Sequence, residues 1–193
     1  MDVWNSASVQ KLSFQLKIVP FEDTSTSAAF SNIGKKYDLM IGPHNSVNIA
    51  KISGFLELGQ ARFCLAMPRS HPLSGKKSVS YTDLHGERFF MQAKGNSPVN
   101  DKIRAAIEQG HPEITIVDLP YHYDLEAFNR CAEEGGVLLS LDIWSDVHPS
   151  LITVPFQVEE TIPYGILFPA KPAPEIRQFL DVIRSLIYSK KNR

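Results

Sequence analysis

The chain has 193 residues, 43% of them hydrophobic and 21% charged, with 20 basic against 21 acidic side chains and a formal net charge of −1. A chain of this length buries roughly 70% of its unfolded surface, so it can hold a core without a metal or a disulfide. The even charge balance lacks the basic face that a nucleic-acid-binding module carries, so this stretch does not read as a DNA or RNA binder by itself.

The elements follow in chain order. Phe14-Gln15-Leu16-Lys17-Ile18-Val19 alternates apolar and polar residues and stops at Pro20, which predicts a strand. Thr24 to Ile33 opens with hydroxyl caps and closes at Gly34, which predicts a short helix. Tyr37 to Pro43 predicts a strand ended by a glycine-proline break, so strand, helix and strand form a parallel βαβ unit. A polar loop around Asn45 to Ser53 leads to a strand over Arg62–Met67.

The block from His71 to Met91 comes next. It predicts a strand exit, a Pro-Leu turn, a one-turn helix and a re-entering strand. Ser80 and Asp83 have the S-x-x-D spacing that satisfies free amides at a helix start. Gly86 supplies the positive φ that ends such a turn. Arg88-Phe89-Phe90-Met91 is a bulky run suited to a buried strand.

Asn96 and Ser97 ahead of Pro98 predict a capped helix with Val99, Ile103, Ala106 and Ile107 on one face, closed by Gly110. Ile114–Val117 predicts a strand. Asp124 caps a second helix with Leu125, Phe128, Cys131 and Ala132 on one face, ending at Gly135-Gly136. Val137–Leu141, Leu151–Phe156 and Tyr164–Phe168 predict three more strands. From Pro174 a last helix carries an apolar stripe of Ile176, Phe179, Leu180, Ile183 and Ile187. Cys64 and Cys131 are far apart, at no metal-ligand spacing, and read as small buried hydrophobes. No run approaches the ~18 apolar residues of a membrane helix, and Met1-Asp2-Val3-Trp4-Asn5 is no signal peptide. A cytoplasmic chain without membrane contact is expected.

The His71–Met91 block resembles the segment that opens the second lobe in the effector-binding domain of LysR-type transcriptional regulators. Tyr37–Gly42, Asp124–Ala127, Gly135–Leu139 and Pro174–Leu180 resemble further pieces of that domain, in the same order. The resemblance implies an α/β fold like that of periplasmic binding proteins, with the second lobe inserted into the first and two strand crossovers. Residues 1–62 would begin the first lobe, 63–163 form the second and 164–193 complete the first. The expectation is two α/β halves joined by a double strand passage, rather than one continuous sheet. The family's DNA-binding headpiece does not match anything here, and only Asp2 to Leu12 precede the first matched strand, which suggests a truncated regulator.

In open α/β sheets ligands sit beyond the carboxyl ends of strands, where helix N-termini favour anions. The candidate contacts are Gly95, Asn96 and Ser97, with His122, Tyr123 and Asp124 in the second lobe, and the segment Ser140-Leu141-Asp142 could face the same cleft. From the first lobe, Phe21, Pro43 and His44 would face the same cleft. Each has a blander reading. Asn96, Ser97 and Asp124 are good caps, Tyr121-His122-Tyr123 suits a surface loop, and His44 suits a solvated one.

No G-x-S-x-G, H-E-x-x-H or phosphate loop is present, so enzyme chemistry has little support, and no metal or cofactor is expected. The resemblance implies an effector-sensing domain that binds a small, anionic molecule, forms a homodimer and reaches DNA only through the headpiece. A stand-alone solute-binding protein is the alternative, and an enzyme on the same scaffold a third reading.

Overall fold

The computed structural model describes residues 17, 19, 30–44, 53–95, 97–119 and 125–191. The predicted strand Phe14–Val19 and most of the predicted helix before Gly34 lie outside this set. The described elements are β1 (Met40–Pro43), β2 (Ser53–Pro68), β3 (Arg88–Gln92), α1 (Pro98–Gly110), β4 (Thr115–Leu119), α2 (Leu125–Glu134), β5 (Val137–Leu141), β6 (Leu151–Pro155), β7 (Thr161–Pro169) and α3 (Pro174–Lys191).

These residues divide into two compact units. One holds the described residues up to Gly42, those through Gly59 in β2, and those from Tyr164 onward. The other holds Pro43, His44 and the described residues from Gln60 to Pro163. The second unit is thus inserted into the first, and β2 and β7 are the two strands that pass between them. The strands pair in the order β1-β7-β2-β5-β3-β4, with β6 also on β2. The expectation of two sheets without continuity needs this correction. Because β2 and β7 belong to both units, one hydrogen-bonded path runs through the molecule.

In the second unit, β3 lies parallel to β4 from Arg88↔Thr115 to Gln92↔Leu119, and parallel to β5 at Phe90↔Leu138. β2 runs antiparallel to β5 and to β6. Val137-Leu138-Leu139-Ser140-Leu141 is buried throughout, as expected of a strand covered on both faces. One core cluster gathers Ala66, Phe90, Leu119, Ala127, Phe128, Cys131, Leu138 and Leu151. Gly136 has no alternative there, because a Cβ would sit 2.2 Å from Phe90 Cε2 and 2.8 Å from the Arg88 carbonyl oxygen. The Arg88 and Arg130 guanidinium groups lie over the Phe90 ring at 5.2 and 5.5 Å, and both pair with Glu134.

The turn block is built as its spacing predicts. Asp83 accepts from the Ser80 N–H and hydroxyl, each at 2.9 Å, across the short 3-10 turn Thr82–Leu84. Gly86 has φ +85°. His71 is buried and structural here: its Nδ1 accepts from the Leu73 N–H at 3.2 Å, and its Nε2 lies 3.2 Å from Glu87.

In the first unit, α3 presses Phe179, Leu180 and Ile183 against Ile166, with Ile176 and Ile187 partly buried beside them. This is the predicted stripe. A smaller cluster joins Ile33 and Leu167 to Phe30, Met40 and Phe55.

Three expectations are corrected. β2 begins at Ser53, nine residues before the predicted strand, because its first half is punctuated by Gly54 and Gly59 and reads as a loop. Gly54 is required by packing: a Cβ there would lie 2.1 Å from the Phe168 ring. On α1 the buried face is Asn100, Ile103, Arg104 and Ile107, while Ala106 is exposed. On α2 Leu125 is 63% exposed, and Ala127 takes the inward position instead.

Candidate functional site

β3, β4 and β5 are mutually parallel, so their carboxyl ends form one edge of the second unit, and α1 starts at that edge. After Gln92 the chain stays paired for one more bond, from the Ala93 N–H to the Leu119 carbonyl at 3.1 Å. It then turns through Gly95, whose φ of +93° suits only glycine without strain. The Gly95 N–H donates to both Asp101 carboxylate oxygens, at 3.0 and 3.2 Å.

Ser97 is the N-cap of α1, extended at φ −146° and ψ 117°, and its hydroxyl oxygen accepts from the Asn100 N–H at 3.3 Å. Pro98 follows as the first helical residue, where its missing N–H costs nothing. Capping by Ser97 uses one of the free amides of the first turn. The aligned peptide dipoles still make this end of the helix favourable to negative charge.

A buried polar network backs this corner. Asn100 Nδ2 donates to Gln92 Oε1 at 2.9 Å. Arg104, also buried, donates to the Gln92 carbonyl at 2.9 Å and to Asp118 Oδ1 at 2.5 Å. Ser140, two positions past the Phe90↔Leu138 pair, falls at the register position of Gln92. It also faces Cys64 across β2. Among the described residues the buried polar and charged side chains are His71, Gln92, Ser97, Asn100, Arg104 and Ser140. All but His71 stand at this edge.

Three of their atoms, Asn100 Oδ1, Arg104 Nε and Ser140 Oγ, have no hydrogen-bond partner among the described residues. A buried polar atom left in that state costs about 1–3 kcal/mol, so a ligand group that bonds to it recovers that cost. Close by, Arg62 donates its main-chain N–H and its Nε to the two oxygens of Asp142, at 3.1 and 3.2 Å. Burial pushes the Cys64 thiol up to about 11, with Asp142 adding to the effect. Cys64 is therefore a neutral thiol at physiological pH, with no nucleophilic character.

The sequence-predicted contacts are placed as follows. Gly95 and Ser97 frame the start of α1. Pro43 and His44 end β1, and the His44 N–H donates to the Pro163 carbonyl at 2.6 Å. Burial lowers the His44 imidazole below its ordinary value, so it is neutral at pH 7 and offers hydrogen bonding rather than charge. Phe21, Asn96, His122, Tyr123 and Asp124 lie outside the described residues. Gln92, Asn100 and Arg104 were not anticipated, whereas Ser140 belongs to a segment expected at the cleft. The signal of the missed residues was present as polar residues beside apolar runs: Gln92 directly after Arg88–Met91, and Asn100 and Arg104 at helical spacing with Ile103 and Ile107.

Among the described residues no three His, Cys, Asp or Glu side chains form a metal-holding group, and no helix is long and apolar enough to cross a membrane.

No family model matches the chain. In sequence it is similar to the HTH-type transcriptional regulator CysL of Bacillus subtilis (strain 168), with 35% identity over 57 residues. That match takes in 30% of this chain and 18% of the regulator. Solved structures match over most of the length. The effector-binding domain of QuiR in complex with shikimate superposes with a TM-score of 0.63 at 20% identity, covering 86% of this chain and 79% of that one. The regulatory domain of CcmR from Synechocystis PCC6803, in complex with 2-PG, gives 0.61 at 17% identity, covering 85% and 80%. The fold is that of a LysR-type effector-binding domain. The sequence resemblance to that family, read first from the His71–Met91 block, has the same direction as the structural one.

Proposed function

We propose that the chain is the effector-sensing domain of a LysR-type transcriptional regulator, and that it binds a small organic anion at the carboxyl edge of β3 and β5. The observation that carries this reading is the concentration of buried polarity there: Gln92, Ser97, Asn100, Arg104 and Ser140 around one helix start, with three polar atoms lacking a protein partner among the described residues. Apolar burial alone does not explain five such residues in one corner, because each must be hydrogen-bonded to be tolerated. An anion is favoured because the start of α1 supplies main-chain amides and the positive end of the helix dipole.

The chain acts by binding and not by turnover. Binding shifts the balance between arrangements of the domain through its different affinity for each. In the full regulator that balance is transmitted to paired DNA-binding headpieces, so the domain works as a homodimer in the cytoplasm. The predicted contacts outside the described residues, Phe21, Asn96, His122, Tyr123 and Asp124, join Pro43, His44, Gly95 and Ser97 in this proposal.

The test is a thermal-shift screen of organic carboxylates, each run against its neutral amide. A ligand at 100 times its dissociation constant stabilises the folded chain by about 2.7 kcal/mol. A midpoint rise with one or more carboxylates and none with the matching amides is the expected result. A panel in which no carboxylate shifts the midpoint, or in which amides act equally, would overturn the anion-sensing reading.

A further inference from the structure

Asp101 stands one turn into α1, at the corner where the anion is proposed to bind. Both of its carboxylate oxygens accept from the Gly95 N–H, at 3.0 and 3.2 Å. Its own N–H donates to the Ser97 carbonyl at 2.8 Å, the first bond of the helix. The carboxylate thus folds back over the start of α1, where an acidic side chain offsets the positive end of the dipole. The other two carboxylates at this edge have cation partners: Asp118 is bonded by Arg104 and Asp142 by Arg62. Asp101 makes no ion pair among the described residues, and the adjacent Lys102 is drawn to Glu160 at 2.8 Å.

Resting on the proposed anion site, we infer that Asp101 sets the charge class of the molecule bound there: the corner takes a monoanion and rejects a dianion. A single carboxylate is held by hydrogen bonds from main-chain amides as well as by charge. A second charge has only the field to draw it. The helix start supplies about half a positive elementary charge, which the full negative charge of Asp101 outweighs. Two like charges about 6 Å apart in water repel enough to weaken an equilibrium about threefold. The buried polar atoms point the same way. Asn100 Oδ1 lacks a partner in a side chain only 3% exposed, and a carbonyl oxygen accepts without donating. It suits a hydroxyl or amide N–H on the bound molecule and repels a second carboxylate. Ser140 Oγ, likewise without a partner in a residue 1% exposed, is uncharged and suits the same neutral groups.

Calorimetric titration with matched acids tests this: butanoate against succinate, pentanoate against glutarate, and benzoate against isophthalate. Each is titrated into the unmodified chain, Asp101→Asn and Asp101→Glu, at about 0.02 M and about 0.5 M salt. Asparagine keeps an acceptor for the Gly95 N–H without the charge, and glutamate keeps the charge. In the unmodified chain the monocarboxylate of a binding pair is expected to bind at least threefold more tightly than its dicarboxylate. That preference is expected to be lost at low salt in Asp101→Asn and retained in Asp101→Glu. High salt should shrink the difference between Asp101→Asn and the unmodified chain, because screening acts on charge and not on fold. A merely structural Asp101 would move both acids of a pair equally at either salt. A dicarboxylate preferred by the unmodified chain, or an unchanged preference in Asp101→Asn, would overturn the role of Asp101 and leave the anion site standing. No binding of any acid to any of the three proteins would overturn the anion site itself, and this role with it.

Discussion

Single side chains set the turn block and the candidate site. Hydrogen bonds from Lys76 and Ser80 hold the Asp83 carboxyl down to about 2. The unfolded value is about 3.9, so the folded state binds fewer protons between these values. Stability from Asp83 is present above pH 4 and is lost as pH falls through about 2. Asp83→Ala is expected to melt lower than the unmodified chain at pH 7, with the gap closing between pH 4 and pH 2 in thermal unfolding scans. A gap independent of pH would mean that the carboxylate charge is not what holds the turn.

Arg104 is the other residue whose partners define its weight. It is buried and ties the last carbonyl of β3 to Asp118 on β4. Hydrogen bonds made by a charged group contribute about 1.5–3 kcal/mol. Arg104→Met is therefore expected to lower unfolding stability in urea by about 2 kcal/mol, and the fold should survive because methionine fills similar apolar space. A cost below about 0.5 kcal/mol would show that water replaces the guanidinium without loss.

The elements differ in how far the chain announced them. Turn chemistry and uninterrupted apolar runs were legible: Ser97-Pro98 opened α1, Gly135-Gly136 closed α2, and Val137–Leu141 was placed as β5 to the residue. The first half of β2 was not, since Gly54 and Gly59 carry the local signature of a loop. Gly54 answers to a contact made far along the chain, which no local window contains. Gly54 gives way to Phe168, and Gly165 to the Leu56 backbone, where a Cβ would meet the carbonyl oxygen at 2.2 Å. A ring can swing aside and a strand backbone cannot. Gly165→Ala is therefore expected to cost about 1–3 kcal/mol in chemical denaturation and Gly54→Ala less, following the usual cost of overpacking. The reverse order would contradict the strand pairing of β2 and β7. The polar face of α1 was hidden for a related reason. Asn100 and Arg104 point inward only because Gln92 and Asp118 wait there on other strands, so helical periodicity favoured Ala106 and Val99 instead.

At the scale of the whole molecule, the inserted second unit and the two traversing strands give the effector-binding-domain fold, and this architecture explains where the polar corner stands. Parallel β3, β4 and β5 collect their carboxyl ends on one edge, and α1 begins where they end. A sensor needs a site that is polar enough to recognise one molecule yet built on rigid elements, and this corner has both properties. The fold alone leaves function open, because the same scaffold serves many tasks. Cys64 and Cys131 are free and buried, and burial pushes their thiols up to about 11 and 12, so neither supplies a nucleophile at neutral pH.

The most direct test of the central claim is calorimetric titration of an organic carboxylate selected by thermal shift into the unmodified chain, Ser97→Ala and Ser140→Ala, all confirmed folded. The account predicts one site per chain, with affinity at least tenfold weaker in both variants even though Ser97→Ala also loses a helix cap worth about 1 kcal/mol of stability. Equal affinity in all three proteins would place the ligand elsewhere and contradict the account.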